Sequence, residues 1–231
     1  MKQANNRQLF LLDRAKTYQD PIPFFMQPII GAGDGLIFGF EILFRGGTPP
    51  EWSSIDKSVI AHLCESPAGS LPTFFVNICA KAFLEIPNQS FIDASINNKV
   101  YFELSESLAD DPAFDAIIDK MDMLSANGVL FAFDNFGRSG QQVPRIFAQD
   151  QISAVKVDGS YLAAAMADKA WEESLAALLA QWRNANILSI AEWVENAAML
   201  EFAARMQFDL VQGFHIDAMM NGLDSKDLDA A

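Results

Sequence analysis

Seven short apolar segments, each with a polar side chain at or next to its carboxyl end, constrain the fold of this chain more than any other sequence feature. They cover residues 36–43, 73–78, 99–104, 129–133, 153–157, 187–191 and 209–212. Apolar runs without alternation are typical of parallel strands, which are buried on both faces. Amphipathic patterns separate the segments and predict helices between them. One such pattern spans 111–128, with Asp111 as N-cap, Pro112 at the first helical position and Gly128 as the stop.

Strands that alternate with helices predict a parallel sheet with helical cover, either an open sheet or a closed barrel. No glycine-rich phosphate loop follows the first strand, which weakens the open dinucleotide-binding alternative. In a barrel, the polar strand ends would meet at one mouth, the face where barrel enzymes act. These residues are Glu41, Asn77, Glu103, Asp134, Lys156, Glu192 and Gln212. Burying unpaired carboxylates is costly, so their recurrence predicts a functional site.

The chemistry of these side chains predicts a cation. The carboxylates and the Asn77 amide offer only oxygen ligands, which suit Mg²⁺, Mn²⁺ or Ca²⁺ and argue against zinc. Lys156 could orient a water or balance charge, and Arg45, four residues beyond Glu41, could clamp a phosphate. Such a site fits metal-assisted attack of water on a phosphate ester.

The composition restricts the classes of partner. The formal net charge is −14 and no Lys/Arg cluster interrupts it, so a nucleic-acid polymer would be repelled. No apolar run is long enough to insert in a membrane, and the N-terminus has too few apolar residues for a signal peptide. Cys64 and Cys79 show no metal spacing and suggest no disulfide framework. We therefore expect a cytoplasmic protein.

Eight short motifs occur in an order that matches a known family. They are QPI (27–29), FEILFR (40–45), VNIC (76–79), ELSE (103–106), DNFG (134–137), KVD (156–158), AEWVE (191–195) and VQGF (211–214). The chain resembles an EAL domain, the cyclic-di-GMP phosphodiesterase family, from about residue 10 to 218. The resemblance implies an α/β fold, a modified (β/α)₈ TIM-type barrel with one reversed strand. We expect one domain over residues 1–231, with 219–231 as a C-terminal tail.

The resemblance also implies an activity and roles for individual residues. The family hydrolyses cyclic di-GMP to linear pGpG with Mg²⁺ or Mn²⁺, and Ca²⁺ is expected as an inhibitory occupant. The implied metal ligands are Glu41, Asn77, Glu103, Asp134 and Glu192. The implied catalytic residues are Glu41, Lys156, which positions water, and Glu192, which binds metal or activates water. Arg45 and Gln212 match substrate-binding residues, and Glu106 matches a residue that anchors a loop.

Departures from the family pattern bear on activity. Asn135 replaces the second of two aspartates, which keeps an oxygen but removes a charge and predicts a weak second metal site. The loop 138–142 is rewritten, and the stretch between Arg45 and Asn77 is shorter than usual. Trp193 stands where the family has glycine. Strand alternation would turn Trp193 away from the side that Glu192 faces, which predicts a packing role.

Three functions remain open. The first is a weak or conditional cyclic-di-GMP phosphodiesterase, based on the retained strand-end residues. The second is a catalytically inactive cyclic-di-GMP receptor, which the altered loop after Gly137 would suit. The third is a protein-interaction module in bacterial signalling that has lost the nucleotide. A homodimer and a protein partner are compatible with each alternative.

Overall fold

The computed structural model describes residues 10–12, 22–44, 51–66, 69, 72–105, 111–138 and 151–221. Within these ranges, nine strands and eight helices follow one another along the chain. The strands are β1 (Phe10–Leu12), β2 (Ile22–Gly31), β3 (Ile37–Phe44), β4 (Thr73–Asn77), β5 (Val100–Ser105), β6 (Leu130–Phe136), β7 (Ile152–Val157), β8 (Leu188–Ala191) and β9 (Leu210–Val211). The helices are α1 (Trp52–Glu65), α2 (Ala80–Glu85), α3 (Asn88–Asn97), α4 (Phe114–Ser125), α5 (Gly159–Ala167), α6 (Lys169–Asn184), α7 (Ala197–Arg205) and α8 (Phe214–Asn221).

The strands close into a barrel. From β3 to β9, each strand pairs in parallel with the next one along the chain. Strand β2 runs the other way and pairs antiparallel with β3 on one side and β9 on the other. Gln27 lies opposite Glu41, and Ile30 lies opposite Val211. The expected (β/α)₈-type barrel with one reversed strand is confirmed, with β1 added outside the ring by antiparallel pairing to β2.

The strand period of two explains why the polar residues point into the barrel. A small apolar cluster fills the interior, separate from the larger core between the barrel and its helices. Its buried members are Ile29, Phe75, Tyr101, Ala132, Ala154, Ile190 and Leu210. The rings of Phe75 and Tyr101 stack there at 4.6 Å. Asn77 and Glu103 follow these two residues by two positions, and the other predicted polar residues from Asp134 onward obey the same rule. The layer of polar side chains therefore lies directly above this apolar cluster.

The element boundaries differ in places from those predicted. The seven predicted strands correspond to β3 to β9, with ends that coincide or are shifted by up to three residues. Helix α4 begins at Phe114 rather than Pro112, because Asp111 accepts a hydrogen bond from the Ala113 N–H in a turn before the helix. Gly128, at φ +83°, follows the end of that helix as expected.

The limits of the domain stay a prediction. Helix α8 extends to Asn221, so it includes the first three residues of the predicted tail, and residues 222–231 lie outside the described ranges. Among the helices of the described residues, none has the length and apolar character needed to cross a bilayer.

Candidate active site

One lysine lies among four carboxylates at the barrel mouth. The Lys156 Nζ is 2.8 Å from Glu103 Oε1, 2.9 Å from Glu192 Oε1, 3.0 Å from Glu41 Oε2 and 3.5 Å from Asp134 Oδ1. All five side chains are buried. They come from strands β3, β5, β6 and β7 and from the residue after β8, so the parallel register brings them together. We call these five residues the carboxylate cluster.

Two amide side chains donate hydrogen bonds to the Glu41 carboxylate. Asn77 Nδ2 donates to Glu41 Oε1 at 2.8 Å, and Gln212 Nε2 donates to Glu41 Oε2 at 2.5 Å. Gln212 also donates to Gln27 Oε1, and Gln27 in turn donates to Asp217 Oδ2, each at 3.0 Å. The predicted residues Asn77 and Gln212 therefore meet the cluster directly. The roles of Gln27 and Asp217 were missed from the sequence, although Gln27 lies within a motif there.

Burial, with repulsion among the carboxylates, raises the pKa of three members of the cluster, Glu103, Asp134 and Glu192. Burial raises the pKa of Glu192 to about 8, with further repulsion from Asp134 and Glu41, against the opposing effect of Lys156. Burial and the neighbouring Glu41 raise the pKa of Glu103 well above its usual range. Burial would also raise the pKa of Glu41, but Lys156 and three hydrogen bonds lower it overall. The four carboxylates outweigh burial and raise the pKa of Lys156.

The donor atoms of the cluster suit a hard divalent cation. Glu103 Oε2 and Glu192 Oε2 are buried and accept no hydrogen bond, which leaves them free to bind an ion. Oxygen-only donors are those that Mg²⁺ and Mn²⁺ prefer. In the described ranges, no three acidic, cysteine or histidine side chains are already arranged around a shared ion position. Lys156 contacts the other oxygen, Oε1, of both carboxylates, so an ion bound at the Oε2 atoms would lie close to this ammonium.

Asn135 uses both ends of its amide on neighbouring side chains. Its backbone is left-handed, with φ of +62°. Its Nδ2 donates to Asp134 Oδ2, and its Oδ1 accepts a hydrogen bond from Arg138 Nη1 at 3.3 Å. The nitrogen rather than the oxygen of the amide thus faces Asp134. The weak second metal site at Asn135 stays a prediction.

Two cavities flank the carboxylate cluster. The first, of about 250 Å³, is lined by Asp134 and Glu192 together with the half-exposed rings of Trp193 and Phe214. The second, of about 340 Å³, is lined by Asn77 and Glu103 from the cluster side and by Phe44, Trp52 and Asp56 from the other. Leu43 lines both. A ligand with two planar groups on either side of a charged centre would match this shape.

The predicted packing role of Trp193 is wrong. Strand β8 ends at Ala191, so the alternation on which the prediction relied has stopped before this residue. Trp193 has φ of +54° and lines the same cavity as Glu192. Its side chain is 51% exposed, which is not the burial of a packing residue.

Asp56 is a functional candidate that the sequence analysis missed. It is buried on the apolar face of α1, and its Oδ2 accepts a hydrogen bond from the Cys79 N–H at 2.9 Å. Burial raises its pKa. The sequence contained a sign of this role, because Asp56 lies among Ile55, Val59 and Ile60 at a position where the helical pattern predicts an apolar side chain.

Two predicted site residues lie outside the described ranges. Arg45 falls in the segment 45–50 and Glu106 in the segment 106–110. The rewritten loop is described only at Arg138, since 139–150 also lies outside. The predicted roles of these residues stay predictions.

Comparison with known proteins identifies the family. The sequence model of the EAL domain family matches residues 74–218 of this chain. The chain belongs to the EAL family. Over 237 aligned residues, this EAL chain is 23% identical to an Escherichia coli K12 protein described as "Probable cyclic di-GMP phosphodiesterase PdeG". The match covers 89% of the chain but 46% of that relative, so the chain spans about half the relative's length.

Solved EAL structures share the fold of this EAL chain. The PaMucR phosphodiesterase in complex with c-di-GMP is 22% identical, with a TM-score of 0.66 over 84% of this chain and 90% of that one. The FimX EAL domain from Pseudomonas aeruginosa, bound to c-di-GMP, is 21% identical, with a TM-score of 0.63 over 83% and 88%. At these identities the likeness establishes the barrel fold.

Proposed function

We propose that this EAL chain binds cyclic di-GMP across the barrel mouth and hydrolyses one phosphodiester to give pGpG, at a weak or conditional rate. The observation that carries the proposal is the meeting of Lys156 with four buried carboxylates inside 3.5 Å. A buried cluster of this kind is costly to a fold and is typical of a site that handles cations and phosphate. The EAL relatives named above as phosphodiesterases or c-di-GMP complexes support the substrate class.

The two cavities support a ligand with two bases. A cyclic dinucleotide carries a phosphodiester ring between two planar bases, which matches a charged cluster between two aromatic-lined cavities. In the second cavity, the Asp56 carboxylate is an acceptor that suits the N–H edge of guanine, while Trp52 and Phe44 offer ring surface. Asp56 would therefore select guanine over adenine.

The proposed cofactor is Mg²⁺ or Mn²⁺. Glu41, Asn77, Glu103, Asp134 and Glu192 would hold it, with Asn135 contributing to a weaker second position. A bound divalent ion would polarise the phosphate and lower the pKa of water. Ca²⁺ prefers the same oxygen donors and would occupy the site as an inhibitor.

The chain's own residues supply the remaining steps. Glu192, whose Oε1 lies 2.9 Å from Lys156 Nζ and whose Oε2 accepts no hydrogen bond, would accept the proton of the attacking water when it is ionised. Lys156 would hold that water and balance part of the negative charge of the carboxylates. Gln212 donates a hydrogen bond to Glu41 that fixes the orientation of its carboxylate, and it would also contact the substrate. Arg45 would contact a phosphate, and Glu106 would anchor the loop that follows β5. A cytoplasmic location, a homodimer and a protein partner stay predictions.

A cyclic-di-GMP receptor without turnover is the second candidate. Asn135 favours it, because its amide oxygen is bonded to Arg138 and its nitrogen faces Asp134, where a second carboxylate would attract a cation. Binding through the two cavities would survive this loss. A protein-interaction module without nucleotide binding is the remaining alternative.

Turnover and binding measurements separate the three candidates. Cyclic-di-GMP hydrolysis is measured in Mn²⁺ and in Mg²⁺, with Glu41→Ala and the near-isosteric Glu41→Gln as controls. Formation of pGpG above both controls is expected. Micromolar binding without pGpG would select the receptor. Absence of binding with and without metal would refute both nucleotide functions and leave the interaction module.

A further inference from the structure

We infer that Trp193 is the base-stacking residue of the first cavity, an addition to the binding site that stands where the family has glycine. This inference rests on the proposed nucleotide binding and extends it. Trp193 and Phe214 present half-exposed rings to the cavity that holds Asp134 and Glu192. Planar nucleobases stack on such rings whatever their sequence, because every base has a π-face.

The backbone at Trp193 is unusual for its residue type. Four non-glycine residues in the described ranges have positive φ, and the other three are Asn135, Asn186 and Gln207. Asparagine enters the left-handed region readily, whereas a bulky side chain there is an outlier. Such outliers concentrate at ligand sites, where surrounding structure holds them.

Neighbouring hydrogen bonds hold Trp193 in this conformation. On one side, the Glu192 N–H donates to the Val157 carbonyl at 3.0 Å; on the other, the Val194 N–H donates to the Gln212 carbonyl at 3.0 Å. The Val194 carbonyl accepts from the His215 N–H at 3.0 Å. The Trp193 ring is thus exposed on a backbone that hydrogen bonds hold in place, so little conformational entropy is lost when a base binds to it.

Gly159, the first residue of α5, leaves room for this support. A Cβ added to Gly159 would lie 2.5 Å from the Trp193 Cβ, closer than side-chain atoms can approach. The glycine at 159 therefore leaves room for a side chain at 193, which here is a tryptophan. This contact links two motifs, KVDGS and AEWVE, that lie apart in the sequence.

The test measures cyclic-di-GMP affinity by calorimetry in four variants. Trp193→Gly removes the ring and relieves the left-handed strain, so the fold is not endangered, and we expect its Kd to rise about tenfold or more. Trp193→Phe keeps a ring and should stay close to wild type. Gly159→Ala keeps the ring but displaces it and should also raise Kd. Trp171→Phe, at a half-exposed tryptophan that does not line this cavity, is the matched control and should change nothing.

A second readout follows the ring itself. In a Trp52→Phe background, which removes the tryptophan of the other cavity, nucleotide should quench fluorescence, and additional Trp193→Phe should abolish most of the quenching. Unchanged Kd in Trp193→Gly would overturn the inference while leaving nucleotide binding intact. Absence of cyclic-di-GMP binding by the wild-type chain would overturn both. A Trp193 effect on Kd without any turnover would support the inference and refute the hydrolysis.

Discussion

Replacing Lys156 with methionine tests whether this lysine is the internal counter-charge of the barrel mouth. Methionine has a similar length and fills the same buried space without a charge. The Lys156 Nζ contacts Glu41, Glu103, Asp134 and Glu192, so the substitution leaves four buried carboxylates facing one another. No other cation contacts these carboxylates among the described residues.

The expected destabilisation is large. Removing one partner of a buried ion pair costs about 3–5 kcal/mol, because the other charge stays buried without compensation. For a chain of this size, 1 kcal/mol corresponds to a Tm change of about 2–4 °C, so Tm should fall by roughly 6–20 °C at pH 7 without divalent metal. The surface pair of Lys57 with Glu85, at 2.5 Å, provides the control. Lys57→Met should cost less than about 1 kcal/mol.

Divalent metal should rescue the variant. An ion that binds the folded state at a hundredfold excess over its Kd adds about 2.7 kcal/mol of stability. Because Lys156→Met no longer competes for the cluster oxygens, Mn²⁺ should raise its Tm more than that of the wild type. Thermal unfolding with a Mn²⁺ titration, and calorimetry of Mn²⁺ binding, measure both effects. A variant as stable as wild type in metal-free buffer, or equal Mn²⁺ shifts in the two proteins, would refute this account of Lys156.

Three further predictions concern the same mouth. Without divalent metal, the free energy of unfolding should fall as pH rises from about 4.5 to about 8, because folded Glu192 keeps its proton to a higher pH than the unfolded chain does. The fall is at most about 1.4 kcal/mol per pH unit for one group. Glu192→Gln should flatten this slope in urea unfolding, and an unchanged slope would contradict the raised pKa of Glu192. Asn135→Asp should tighten Mn²⁺ binding and raise turnover if a second ion limits the rate; equal rates would place the limit elsewhere. Asp56→Asn keeps an acceptor for the Cys79 N–H but removes the charge, so it should weaken cyclic-di-GMP binding about tenfold, which is about 1.4 kcal/mol. The titration is repeated with cyclic di-AMP, and equal weakening for both nucleotides would argue against guanine selection by Asp56.

The sequence predicted the barrel strands and their polar ends because both depend on local pattern. A buried parallel strand is an apolar run, and the period of two then aligns Asn77, Glu103 and Asp134 above the interior layer. Strand β2 was not predicted: it contains Pro23 and Pro28, and proline weakens a strand assignment. Its closure of the ring depends on pairing with β9, almost 180 residues away.

The parts of the site that the sequence did not reveal depend on tertiary contacts. The left-handed backbone of Trp193 is held by the hydrogen bonds that its neighbours Glu192 and Val194 donate to the Val157 and Gln212 carbonyls. It also depends on the space at Gly159. Asp56 reaches the site through the hydrogen bond that its Oδ2 accepts from the Cys79 N–H, just after β4. The sequence pattern marks Asp56 as unusual on an apolar helix face but does not give its contact, because both arrangements join segments that lie far apart along the chain.

The reversed strand β2 makes the barrel depend on a segment that lies outside the family match. A fragment cut at 74–218, the limits of the family match, would lack β2 and β3 and would open the ring between β4 and β9. It would also lack Glu41 and Gln27, so Gln212 and Lys156 would lose partners at the mouth. The smallest unit that could carry out the proposed nucleotide chemistry therefore includes β2, the first strand of the ring, with its pairing to β9 intact.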